Sequence, residues 1–272
     1  MEIKYTKILV PYDNSPSAKA ALQSALVTAR AFEATLDVCY VVKNMKKEKV
    51  QLISDQIDGI KAKNSDLNIN FMVRNGKTYK EVVKLEEDLG TNLIIMGTHG
   101  NNGLGAMVGS NAYKVVSSSS CPVIVMGDGA TKDTIEKILL PLDDSQETRQ
   151  KIPFVVQFAK GFNAEVIISL VSTSESNDTK GRLNVYLSQA EEYLYKNNVR
   201  YKIGQSVFGG NLADSCLKLA KDQGANIIVM MTETESSGFF MGTFASQIIH
   251  KAEVPIMAIH ARSLTGVGAA GY

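Results

Sequence analysis

Short apolar runs alternate with longer amphipathic stretches along the whole chain. Lys7–Tyr12 (KILVPY) is a branched, apolar run too short for a helix and reads as a strand. Ser15-Pro16 follows, an N-cap residue with proline at the first helical position. Ala18, Ala21, Leu22, Ala25, Leu26 and Ala29 then recur at three-and-four spacing, which predicts one buried helical face. Leu36–Val42 reads as a second strand, residues 46–63 as a charged helix, and Ile69–Val73 as a third strand. Thr78–Leu89 predicts a helix with Val82, Val83, Leu85 and Leu89 inward. Leu93–Met96 is continuously apolar, as in a strand buried on both faces. A helix should open near Gly109, and Val123–Met126 closes the set.

The same order then recurs. KILVPYDNS (7–15) returns as KILLPLDDS (137–145), NLIIMGTHG (92–100) as NIIVMMTET (226–234), and CPVIVM (121–126) as VPIMAI (254–259). These pairs are 130, 134 and 133 residues apart. A repeat of this length is a duplicated domain. In the second copy strands fall near 137–142, 165–171, 200–207, 226–230 and 255–259. Pro153 should delay or kink the first helix there. The polar stretch Ser172–Lys180 reads as a mobile loop.

Five short buried strands with helical crossovers predict, in each half, a parallel sheet covered by helices on both faces. Ligands of such sheets bind beyond the C-terminal strand ends, where strand order reverses. That rule selects the loops after the first and fourth strands. The first loop carries Asp13, and the second is GTHGNNGLGAMVGS (97–110), with Gly97, Gly100, Gly103, Gly105 and Gly109. Glycines let an anion approach the backbone, and a helix opening at Gly109-Ser110 offers unpaired N–H groups to a phosphate. The plainer alternative is a flexible surface loop ahead of a helix. Asp13 could accept from a ribose hydroxyl or an exocyclic amine, or begin an Asx-turn. Val41 and Val42 could present backbone to an adenine edge or serve only as core. His99 is either a neutral phosphate donor or an exposed loop histidine.

Composition narrows the function classes. The 272 residues suit two domains, and a net charge of +1 predicts no nucleic-acid partner. No apolar run approaches membrane-spanning length, and MEIKYTKILVPYD has no leader pattern, so the chain is expected in the cytoplasm. Cys39, Cys121 and Cys216 form no C-x-x-C and read as small buried hydrophobes. His99, His250 and His260 lack ligand spacing, so no metal site is expected. Neither a P-loop lysine nor a G-x-G-x-x-G after the first strand is present, which argues against a dinucleotide-dependent dehydrogenase. Ser117–Ser120 has no triad partners in view and reads as a helix terminus.

On KILVPYDNS, MGTHGNNGLGAMVGSNAYKVV and CPVIVM the chain resembles a tandem universal stress protein, over about 1–127 and 136–260. The resemblance implies two tandem Rossmann-like α/β domains (1–130 and 131–262), each a five-stranded parallel sheet with helices on both faces. It leaves a tail, 263–272, expected to be disordered. It implies pairing of the two units through their fifth strands, and a possible homodimer. ATP-binding members carry G-x2-G-x9-G-[ST] after the fourth strand. Here Gly97, Gly100, Gly109 and Ser110 match in type, while Asn101–Val108 supplies eight residues instead of nine. Carried over by position, the resemblance assigns adenosine contacts to Pro11, Asp13 and Val41. It assigns phosphate and ribose contacts to Met96, Gly97, His99, Gly100, Gly109, Ser110 and Asn111.

ATP or AMP would then be the ligand, with Mg entering only alongside bound nucleotide. In the second half Met231, Glu233 and Thr234 replace Gly97, His99 and Gly100, so the loop there should repel phosphate. The expected function is a stress-response, nucleotide-binding regulatory module with its site in the N-terminal half and at most weak ATP hydrolysis. The alternatives are a nucleotide-independent interaction protein of the same fold and a small-molecule hydrolase or kinase.

Overall fold

The structure is a computed structural model that describes residues 3–44, 46–98, 110–127, 134–232 and 243–261. The chain divides into two compact units. The first takes the residues up to Thr134 together with Ile249–Ala258; the second takes Ile135–Ile248 and resumes at Ile259.

The first unit contains β1 (Lys7–Pro11), α1 (Pro16–Phe32), β2 (Thr35–Val42), α2 (Lys47–Lys63), β3 (Ile69–Asn75), α3 (Thr78–Leu89), β4 (Leu93–Gly97), α4 (Ser110–Ser118) and β5 (Val123–Met126). Its strands lie in the order β3-β2-β1-β4-β5, each pair parallel. The chain works outward from β1 to β3 and then returns to β4, so strand order reverses between β1 and β4. Ile8, Leu9 and Leu93–Ile95 are fully buried, as central strands covered on both faces must be. Ser15 caps α1 by accepting from the Ala18 amide, and all six helix residues expected to face inward are buried.

In α3 the inward set is Val82, Leu85 and Glu86, with Val83 and Leu89 half-buried. The helix turns a carboxylate inward because Glu86 Oε1 accepts from the Ser120 amide, the Ser120 hydroxyl and the Cys121 amide at 2.7–2.8 Å. This ties α3 to the segment after α4, where the serine run ends the helix.

The second unit contains β6 (Lys137–Leu142), a 3-10 helix (Gln146–Lys151), α5 (Ile152–Phe162), β7 (Glu165–Ser172), α6 (Asn177–Lys196), β8 (Tyr201–Ile203), β9 (Val207–Phe208), α7 (Leu212–Gln223) and β10 (Ile227–Met231). These are followed by α8 (Thr243–Lys251) and β11 (Ile256–Ile259). Its strand order is β10-β6-β7-β8, and β9 also pairs with β7.

Three features differ from the sequence reading. Ser172–Lys180 is not a loop throughout: α6 begins at Asn177, because Ser176 caps it by accepting from the Thr179 amide. Residues 200–207 form two short strands instead of one, separated by Gly204–Ser206. A Cβ at Gly204 would meet Ser169 Oγ at 2.7 Å, so the chain runs too close to β7 there for any side chain. Pro153 does delay the helix, since six residues of 3-10 helix come first and α5 starts one residue before the proline.

The final strand of the second repeat belongs to the first unit. β11 runs antiparallel to β5, with Ile256 opposite Val125 and Met257 opposite Ile124. Repeat and compact unit therefore end at different places along the chain. The tail at 263–272 lies outside the described residues.

Candidate functional site

Parallel pairing brings the C-terminal ends of β1 and β4 side by side in the first unit, with Ile8 opposite Leu93 and Leu9 opposite Ile94. Pro11 ends β1 and is buried; it pairs with Cys39 of β2, two residues before Val41, which is half-buried. Met96 is buried at the end of β4, so a ligand would meet its backbone and not its side chain. Ser110 opens α4, and Asn111 beside it is exposed. Pro11, Asp13, Val41, Met96, Gly97, Ser110 and Asn111 thus all sit at the C-terminal edge of this sheet. His99, Gly100 and Gly109 lie outside the described residues.

Asp13 is half-buried, and its Oδ1 accepts from the Ser15 amide at 3.0 Å. That is the Asx-turn alternative, and it holds also in the second unit, where Asp143 Oδ1 accepts from Ser145 at 2.9 Å. The turn fixes the carboxylate at the switch point.

Sequence reasoning missed its neighbours. Tyr12 and Tyr40 both have phenols pushed above the ordinary range, first by burial and then by the Asp13 carboxylate. The Tyr12 hydroxyl donates to Asn14 Oδ1 at 3.2 Å. Both phenols thus lie within range of the carboxylate's charge. The signal was present in the repeat, since the second copy has Leu142 and Leu170 at the matching places.

Gly97 has a structural task of its own. A Cβ there would lie 2.7 Å from the Ser17 carbonyl carbon and 2.8 Å from its Cβ. α1 packs on β4 closely enough that only glycine fits. The second unit carries Met231 instead, buried at the end of β10, and the segment against β10 is the 3-10 helix rather than a regular α-helix. The larger side chain and the displaced helix start go together.

That 3-10 helix places a charge in the second unit's crevice. Lys151 is 1% exposed, its Nζ donates to Thr148 Oγ1 at 3.0 Å, and it lies 3.9 Å from Asp143 Oδ2. Burial pushes the Lys151 ammonium below its ordinary range, opposed by Asp143 and Cys216, while burial lifts the Cys216 thiol to about 12. The second unit therefore sets an internal cation beside its own half-buried carboxylate.

With the folded pKa of Lys151 depressed, the unfolded chain holds more protons between that value and the ordinary one of roughly 10.4, so this lysine makes stability rise with pH there. In melts of wild type and Lys151→Met across that range, the difference should move in favour of wild type as pH rises. A pH-independent difference would contradict the assignment.

A groove of about 450 Å³ lined by Tyr195, Lys196, Asn198, Val199 and Arg200 lies where α6 leads into β8, at the N-terminal side of that strand. It is remote from the strand C-termini. Its cations are engaged: Lys196 pairs with Glu192 at 2.6 Å, and Arg200 donates to the Asn163 carbonyl. Among the described residues no group of His, Cys, Asp or Glu could hold a metal ion. No helix there is long and apolar enough to cross a membrane.

The sequence profile of the universal stress protein family matches residues 4–127 and again residues 134–260. The chain belongs to the universal stress protein family. Universal stress protein MJ0577 of Methanocaldococcus jannaschii is 30% identical over 157 residues, which is 46% of this chain and 97% of that protein. A universal stress protein of Archaeoglobus fulgidus shares the fold over nearly the whole length, with a TM-score of 0.72, 16% identity, and coverage of 96% and 98% of the two chains. A protein of unknown function from Pseudomonas aeruginosa does so at a TM-score of 0.72 and 17% identity, covering 94% and 93%. Two consecutive universal stress domains with a mostly parallel α/β architecture are thus established for this chain.

Proposed function

We propose that this stress-family protein is a cytoplasmic regulatory module that binds an adenine nucleotide, ATP or AMP, in its first unit. The observation that carries the reading is the convergence at the switch point: a carboxylate at Asp13 fixed by its turn, and a helix opening at Ser110 on the adjoining strand's side. Asp13 would accept from the ribose or the adenine amine, Pro11 and Val41 would border the base, and the backbone at Met96, Gly97 and Asn111 would approach ribose and phosphate. His99, Gly100 and Gly109 complete the phosphate loop in sequence. Any Mg would arrive with the nucleotide. No residue here is assigned a catalytic role.

Mass spectrometry of the protein as purified, with thermal shift in millimolar ATP, tests this directly. About one equivalent of adenine nucleotide supports it; no nucleotide and no shift refute it. Asp13→Asn sharpens the test, because the amide oxygen keeps the Asx-turn while the charge is lost. It should weaken ATP binding about tenfold, equal to about 1.4 kcal/mol, without lowering the melting temperature. Unchanged affinity would remove Asp13 from the site. The eight-residue spacer favours the second reading, a nucleotide-independent interaction protein. That reading fails if Gly109→Glu abolishes function in a folded protein.

A further inference from the structure

The two units differ in charge at the same end of the fold. In the first unit, the segment after β2 and the opening of α2 carry Lys43, Lys46, Lys47 and Lys49, all exposed. Beside them, at the end of β3, stand Arg74 and Lys77, also exposed. The two segments are neighbours, because Val41 pairs with Arg74 and the Gly76 amide donates to the Val42 carbonyl. Only Glu48 and Glu81 oppose them in the first turns of α2 and α3. In the second unit the matching segments carry Glu175 and Asp178 after β7 and Asp214 in the first turn of α7.

Capping shows that these lysines do not serve their own helices. α2 and α3 have Lys46 and Lys77 at the N-cap, and neither makes a side-chain capping bond. Their counterparts Ser176 and Asn211 both cap, accepting from Thr179 and Asp214. Serine and asparagine are favoured at N-caps, and cations there oppose the helix dipole. The first unit thus keeps an exposed cationic rim at a local cost that the second unit avoids. This rim lies two and three strands from β4, roughly 10 and 14 Å at ordinary strand spacing. It is too far to serve the same phosphate as the start of α4.

We propose that the lysine rim of the first unit is a second anion subsite, and that the ligand is a nucleotide bearing a second phosphate group set apart from its 5′ chain. This rests on the nucleotide reading above and names its ligand class. The 5′-phosphate lies by α4, the nucleoside spans β1 and β2 at Asp13, and the second phosphate lies among Lys43, Lys46, Lys47 and Lys77. A 3′-phosphate and a 2′-phosphate on the ribose share this chemistry.

Calorimetric titration of the full chain tests the proposal, using ATP, adenosine 3′,5′-bisphosphate and adenosine 2′,5′-bisphosphate. All three carry nearly equal charge, so general attraction cancels. At least one of the split-phosphate probes should bind ten times or more tighter than ATP. Preference for the 3′,5′-bisphosphate puts the second group on the 3′ oxygen; preference for the 2′,5′-bisphosphate puts it on the 2′ oxygen. The variant Lys46→Ser, Lys47→Asn, Lys77→Asn installs the second unit's residues. It should bring that ratio within twofold, still bind ATP, and melt no lower than wild type, since it gains two caps. Equal affinity for all three probes in the wild type overturns the proposal, as does a ratio that survives in the variant. A rim serving an acidic protein or nucleic acid would leave the ratio at one. If no adenine nucleotide binds at all, the nucleotide reading fails as well; if ATP binds without preference, only the second subsite does.

Discussion

Glu86→Ala should destabilise the protein by about 3 kcal/mol, because it strips a charged acceptor from two backbone amides and a hydroxyl. The Cys121 amide is buried and has no water to replace the carboxylate, whereas Ser120 is exposed and recovers part of its loss. Glu86→Gln keeps an oxygen at the same place and should cost about half as much. Denaturant melts give the ranking, and amide exchange at Cys121 should accelerate most. A loss under about 0.5 kcal/mol for the alanine variant would mean that the segment before β5 is held by packing alone. The matching residue of the second repeat is Ala220, so this carboxylate is not a requirement of the fold. It pins the segment that carries the chain from α4 into β5, and thus the far end of the helix whose opening faces the candidate phosphate position.

Gly97→Met, which installs the second unit's residue, should cost more than about 3 kcal/mol, at or beyond the upper end for overpacked cores. Even Gly97→Ala places a Cβ 2.7 Å from a Ser17 backbone carbon, which cannot rotate away. Because α1 must lift from β4 to relieve it, Asp13 and the α4 opening should separate, and any nucleotide affinity should fall together with stability. Combining Gly97→Ala with Ser17→Gly removes the side-chain part of the clash and leaves the backbone part, so recovery should be partial. Full recovery would show that only the serine side chain enforces the glycine, and no loss in the single variant would show that α1 shifts freely.

Much of this was legible in the chain. Alternating apolar runs and three-and-four spacing located the strands and helices of the first unit, since burial on both faces of a parallel sheet leaves a continuous apolar signature. The duplication fixed the number of domains. Asp13 and Gly97 could be singled out because strand order reverses where their loops emerge.

Glu86 was not legible. A glutamate in an amphipathic helix is ordinarily solvated, and only the approach of Ser120 and Cys121 makes it an interior acceptor. Lys151 was hidden for a related reason. In an α-helical register it would match Ala21, and the 3-10 turn that carries it toward Asp143 packs against β10, some 80 residues away. Tyr12 and Tyr40 read as strand residues until the fold brought their phenols within range of the carboxylate's charge.

The sequence by itself determined the repeat, the α/β class and the cysteines' burial, because each depends on residue type or short-range spacing. The tertiary structure alone decided that Gly97 is a packing glycine, that a buried lysine faces Asp143, and that β11 belongs to the first unit's sheet. It also decided that six cations on two separate segments share one rim. Those depend on which strands become neighbours, and hydrogen bonding between strands is not encoded at any fixed distance along the chain.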